Sequence, residues 1–253
     1  MQSQTADSPG VSTVDPDEVT RFAAVADAWW DPRGAFAPLH KLNPTRLSYI
    51  RDQICRHFGR DPRSARSLDG LAVLDVGCGG GLLAEPITRM GAAVTGIDAT
   101  EQNIRVAGLH AQDMELEIDY RHIAAEELAA EGAVFDVVVN MEVIEHVADV
   151  PAFLAACRAL VRPGGIMLFS TLNRTAKAFA MAIVGAEYVL RWLPRGTHDW
   201  QKFLKPAELS AALDAAGFTV PDLSGLSYDP LGDRWRVTRD LSVNYLGTAL
   251  PTD

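Results

Sequence analysis

Cysteine pairs, a basic excess and long apolar runs are all missing from this 253-residue chain. Cys55, Cys78 and Cys157 stand far apart and form no C-x-x-C pair, which argues against a zinc ribbon or a disulfide framework and suits a reducing cytosol. Lys and Arg number 23 against 33 Asp and Glu, a formal charge of −10, and that balance argues against nucleic acid, whose phosphates need clustered cations. The longest uncharged apolar run, "AFAMAIVGA" at 178–186, falls far short of the roughly 20 residues of a membrane-spanning helix. Residues 1–18 carry neither a positive n-region nor an apolar core, so they read as a flexible arm and not as a secretory signal. A cytoplasmic protein is expected, able to touch the inner face of a membrane without crossing it.

Glycine, by contrast, is concentrated in one place. The stretch "VLDVGCGGGLLAE", 73–85, holds Gly77, Gly79, Gly80 and Gly81 directly after an apolar run. From Leu71 onward, β-type runs ("LAVLDVG", "AAVTGID", "EIDYRHI", "VFDVVVN", "GIMLFSTLN") alternate with helical patterns such as "VPAFLAACRALV". That rhythm predicts an α/β sandwich, with a parallel sheet buried on both faces. A mostly helical segment precedes it, and late runs at "FTVPDLSGLSY" and "LSVNYL" predict antiparallel strands at the sheet edge.

In such a sheet the loop after the first strand is the first candidate for a ligand, and glycine there lets the ligand approach the backbone. Counting from Gly77, a dinucleotide fingerprint would place its third glycine where Leu82 stands, and the G-K-[ST] ending of a phosphate loop is absent. The pattern is G-x-G-x-G with Asp75 two residues ahead. Asp98 ends the second predicted strand, 21 residues after Gly77, where a carboxylate can accept both ribose hydroxyls of an adenosine group.

Together, "VLDVGCGGG", "VTGID", "FDVVVNMEVIEHV" and "LVRPGGIMLFSTLN" resemble the four successive motifs of class I S-adenosylmethionine-dependent methyltransferases. The resemblance implies a Rossmann-like α/β fold with a seven-stranded, mostly parallel sheet and one reversed strand near the edge. It implies one domain over 19–253, with a helical cap at 19–66, a cofactor-binding core at 70–173 and a lid or membrane-contact insertion at 174–200. The flanks "RFAAVADAWWDPRGAFAPLHKLNPTRLSYI" and "TLNRTAKAFAMAIVGAEYVLRWLPRGTHDWQKFLKPAEL" are similar to the ubiquinone-biosynthesis O-methyltransferases, which methylate hydroxyls of polyprenylated phenols at two steps. A related methyltransferase with another acceptor, and a non-catalytic cofactor- or lipid-binding protein, are the alternatives. The tail after Leu226 reads as generic and is expected to leave the site alone.

The family resemblance places Arg46, Gly77, Gly79, Asp98 and Met141 at the cofactor. The guanidinium of Arg46 suits the methionine carboxylate because its fork makes two parallel bonds, which lysine does not reproduce. The chemistry is expected in "MEVIEHV". If that segment is helical, Glu142, Glu145 and His146 lie at i, i+3 and i+4 on one face and could hold Mg²⁺, as members of the family depend on a divalent ion. Without a metal, His146 would deprotonate the hydroxyl directly. The resemblance also implies dealings with other proteins of the same pathway. The stretch 173–196, with Tyr188 and Trp192 among Arg174, Lys177, Arg191 and Arg195, reads either as a contact with anionic lipid or as an internal lid.

Overall fold

The computed structural model describes residues 12–180, 199–229 and 232–252. Tyr188, Arg191, Trp192 and Arg195, on which the expected lipid contact rests, lie outside the described residues.

The apolar runs form the strands β1 (Ala72–Val76), β2 (Ala93–Asp98), β3 (Asp119–His122), β4 (Phe135–Met141) and β5 (Val161–Leu172), all paired in parallel. Three more follow: β6 (Phe218–Asp229), β7 (Arg234–Thr238) and β8 (Asn244–Pro251). The sheet order is β3-β2-β1-β4-β5-β8-β6-β7, with β8 antiparallel to both of its neighbours. Alternate side chains of β4 serve opposite faces, Val138 in one core and Val137 with Val139 in the other, which is why the strand is apolar without interruption.

Among the described residues the sheet has eight strands where seven are expected, and two of them run reversed. The extra strand is β7, "RWRVT", which pairs antiparallel with β6 alone at the edge. Its arginines face solvent, so it lacks the buried apolar pattern that marks a strand in a sequence.

Before the sheet come α1 (Pro16–Ala23) and α2 (Ala37–Phe58). The Asp15 side chain accepts from the backbone N–H of Asp17 at 3.0 Å and caps α1. Gly59, at φ 65°, ends α2 in the left-handed conformation that only glycine adopts without strain. Leu42, Ile50 and Ile54 of α2 pack on the sheet, which fixes the helix across it. The buried face of that helix also carries Arg46, 4% exposed. Among the described residues no helix is long and apolar enough to cross a membrane.

Candidate active site

One continuous pocket takes in Arg46, Gly77, Asp98, Met141, Glu142 and His146. Five of these sit on strand ends or on the loops just past them, where the parallel sheet opens. Gly77 and Gly79 have φ of 68° and 53°. The Gly79 N–H donates to Asp98 Oδ2 at 3.0 Å, tying the loop to the end of β2. Asp98 Oδ1 accepts from the Thr100 N–H at 2.8 Å and from Asn103 Nδ2 at 3.2 Å. Burial raises the Asp98 carboxyl, and those bonds oppose the rise. Met141 is nearly buried and forms part of the wall.

Arg46 and Asp75 carry complementary unfilled atoms. Arg46 Nη2 donates to Asn43 Oδ1 at 3.3 Å, while its Nε is buried without a partner. Asp75 Oδ2 is likewise buried and unpartnered. Burial lifts the Asp75 carboxyl to about 7, against the pull of Arg46. One vacant donor and one vacant acceptor in the same pocket fit a zwitterion with a carboxylate and an ammonium, the ends of a methionine tail.

Two tryptophans that the sequence reading left without a role seal this loop. A Cβ at Gly79 or Gly80 would fall inside the Trp29 side chain, so their bareness seats an indole as well as a ligand. Trp29 stacks on Phe36 at 3.7 Å and donates through Nε1 to Asn103 Oδ1 at 2.8 Å. Trp30 donates to the Gly80 carbonyl at 2.9 Å and stacks on His110 at 3.5 Å. The signal in the sequence was the pair of large aromatics in "DAWWD", placed before any core strand.

The segment "MEVIEHV" is not an α-helix. Glu142 follows β4 at φ 60°, and only Ile144–His146 turn, as a 3₁₀-helix. The three expected ligands therefore do not share one face of a helix. Glu142 Oε1 accepts from Ser170 Oγ at 2.6 Å and from Asn244 Nδ2 at 3.0 Å. Glu145 is not part of the pocket lining; its Oε2 accepts from Thr171 Oγ1 at 2.8 Å and its Oε1 is buried without a partner. Burial, with the Glu142 charge beside it, pushes the Glu145 carboxyl up to about 8. His146 Nδ1 lies 3.2 Å from Glu18 Oε2, and its ring meets Phe22 edge-on at 5.3 Å. Among the described residues no three His, Cys, Asp or Glu side chains form a group that could hold a metal ion as placed. The donor chemistry, two carboxylates and an imidazole, still suits a hard divalent cation.

Glu18 and Asn244 were missed in the sequence, and the second overturns the expectation that the tail leaves the site alone. Burial would raise Glu18, but its bond to His146 and the nearby charges of His146 and Arg21 hold it below the usual carboxylate range. Lys202 Nζ reaches both Asp15 Oδ2, at 2.8 Å, and Glu18 Oε1, at 3.3 Å. All three cysteines are free and buried, as packing residues are.

The fold and the pocket define a class I methyltransferase that uses S-adenosylmethionine. A methyltransferase-domain family profile matches residues 45–223. Among solved structures, magnesium protoporphyrin IX methyltransferase from Synechocystis PCC 6803, with bound S-adenosylhomocysteine, aligns with a TM-score of 0.59 at 18% identity, over 93% of this chain and 94% of that one. The plantazolicin methyltransferase BpumL aligns at 0.64 and 14% identity, over 94% and 97%. Both likenesses are of fold. Sequence identity is more specific: the ubiquinone biosynthesis O-methyltransferase of Mesorhizobium japonicum is 58% identical over 94% of this chain and 96% of its own length. That of Parvibaculum lavamentivorans is 57% identical over 96% of both. The chain belongs to the ubiquinone biosynthesis O-methyltransferase family, and it is an enzyme of that type.

Proposed function

We propose that the enzyme methylates ring hydroxyls of polyprenylated phenol and catechol intermediates, at both O-methylation steps of the pathway named by its relatives. The observation that carries the chemistry is the His146–Glu18 pair in the same pocket as the glycine loop. Val19, Phe22, Phe36 and Leu39 line that pocket too, an apolar wall suited to a prenylated ring.

Each residue then has a task. Arg46 and Asp75 take the carboxylate and ammonium of the methionine tail, and Asp98 takes the ribose hydroxyls. When bound, S-adenosylmethionine supplies the methyl group for an in-line displacement by the acceptor oxygen. Glu18, beside Nδ1, orients the His146 imidazole, which accepts the proton of the hydroxyl. The charge left on the imidazolium is offset by the Glu18 carboxylate. Alignment of the two reactants in one pocket supplies the rest of the acceleration.

A second reading keeps the divalent ion, and what favours it is Glu145. Its buried, unpartnered oxygen stands beside a second carboxylate, an arrangement that a cation would relieve. Glu142, Glu145 and His146 would hold that ion, which would polarise the acceptor oxygen as a Lewis acid. The enzyme's further dealings, with anionic lipid through 174–195 and with other proteins of the pathway, belong to the same proposal. Phe179, within that segment, and Trp200, just beyond it, support the lipid contact, since both are large and exposed.

Labelled methyl transfer from S-adenosylmethionine to a short-chain prenylated catechol tests all of this. Transfer that survives a chelator supports His146 as the direct base. Loss with the chelator and return with Mg²⁺ supports the metal reading instead. Cofactor binding without any transfer overturns the acceptor. In the same assay, deletion of 174–195 is expected to depress transfer to acceptor in anionic vesicles more than to acceptor in detergent; equal effects remove the lipid contact.

A further inference from the structure

Asn244 occupies a place where an amide is costly. It is the first residue of β8, 5% exposed, and paired on one side with Leu172 of β5 and on the other with Leu226 of β6. A strand held between two neighbours has a fixed register, so this side chain cannot move without turning every other one over. Its Oδ1 is buried and has no partner, an expense that an apolar residue of similar size would avoid. Its Nδ2 makes one bond, to Glu142 Oε1 at 3.0 Å.

Glu142 is held from several sides. Its N–H donates to the Ser170 carbonyl at 3.1 Å, and its φ of 60° turns the backbone into a conformation that non-glycine residues seldom adopt. Ser170, fully buried on β5, donates its hydroxyl to the same Oε1 at 2.6 Å. Two donors thus converge on one carboxylate oxygen, and the residue that carries it lines the pocket while Asn244 does not.

We propose that Asn244 is a positioning residue for methyl transfer: with Ser170 it fixes Oε1 of Glu142 and so assigns Oε2 to the acceptor side. The inference rests on the reading that Glu142 faces the acceptor. It gives the carboxyl-terminal strand, 102 residues away in the chain, a part in acceptor alignment. A carboxylate clamped by one oxygen presents the other in a single orientation. Released, it rotates and spends much of its time misdirected. Loss of a comparable outer partner to a functional side chain typically costs on the order of 10- to 100-fold.

The test compares Asn244→Ala, Glu142→Gln and the double variant with the wild type. Expected for Asn244→Ala are a kcat lower by about 10- to 100-fold, an unchanged dissociation constant for S-adenosylmethionine, and little further loss when the change is made on top of Glu142→Gln. A kcat within twofold of wild type overturns the proposal, as does an equal fold-loss in the Glu142→Gln background. Ser170→Ala removes the second donor and is expected to act in the same direction should Asn244→Ala fold poorly. A crystal structure of Asn244→Ala with S-adenosylhomocysteine reads the carboxylate directly. Glu142 turned away from its wild-type orientation supports the clamp, and an unmoved carboxylate overturns it. That readout needs no acceptor, so it stays separate from a failure of the prenylated-phenol reading, which would show as a wild type that binds cofactor and transfers nothing.

Discussion

Among the described residues that line the pocket, Arg46 Nε and Asp75 Oδ2 are the two buried polar atoms without a partner, and each asks for a different one. A lysine at 46 would keep the positive charge and lose the planar fork. Because the bonds concerned are charge-assisted, worth about 1.5–3 kcal/mol each, Arg46→Lys is expected to weaken S-adenosylmethionine binding by roughly 10- to 100-fold. Calorimetric titration measures it, and a dissociation constant within threefold of wild type would show that charge alone suffices. At this scale the sequence was informative about residue type and poor about company. Arg46, Gly77, Asp98 and Met141 do share a pocket, as their motifs imply. Nothing in the local pattern around Glu18 or Asn244 marks them, because what makes them matter is a partner more than 100 residues away.

Among the elements, the glycine loop serves two masters, the ligand and the cap. Gly80 has no positive φ, so alanine fits its backbone; the obstacle is Trp29, whose side chain fills the place of the Cβ. Gly80→Ala is therefore expected to destabilise the enzyme by about 1–3 kcal/mol through overpacking. It is also expected to weaken cofactor binding, since Trp29 bonds Asn103, which bonds Asp98. Thermal melts of Gly80→Ala with and without Trp29→Gly separate the causes, glycine being needed because the Trp29 Cβ is itself among the nearest atoms: the cost should largely vanish in the second background, and an equal cost in both would show that Trp29 is not its source. The parallel strands were legible because burial on both faces leaves an unbroken apolar run. β7 was not, since an exposed edge strand needs no such run. The "MEVIEHV" turn misled for a related reason. Val143, Ile144 and Val147 are spaced as a helix would space them, yet the hydrogen bonds of Glu142 and Glu145 to β5 set the backbone instead.

For the molecule as a whole, the charge buried at the pocket sets part of the dependence of stability on pH. The Asp75 carboxyl stands at about 7 in the folded enzyme, raised by burial from an ordinary value of 3.8. Between those values the folded chain keeps a proton that the unfolded chain gives up. The contribution of Asp75 to stability is thus greatest below about pH 4, falls as pH rises to about 7, and is constant beyond. Three pKa units set an upper bound of about 4 kcal/mol. Glu18 works in the opposite sense: its folded value is lowered, so its contribution is present above the ordinary carboxylate range and is lost as pH falls. A raw stability curve mixes the two, but the difference between Asp75→Asn and wild type isolates the first. Asparagine mimics the protonated carboxyl at every pH. The cofactor-free variant should therefore match wild type near about pH 4 and exceed it by a margin that widens to about pH 7. In the proposed binding mode S-adenosylmethionine brings positive charge beside Asp75 and favours its ionised form, so saturating cofactor is expected to erase that advantage. Urea melts across this range, with and without cofactor, measure both effects. A difference between the two proteins that stays flat with pH would mean that Asp75 is ionised throughout, and that Arg46 outweighs burial.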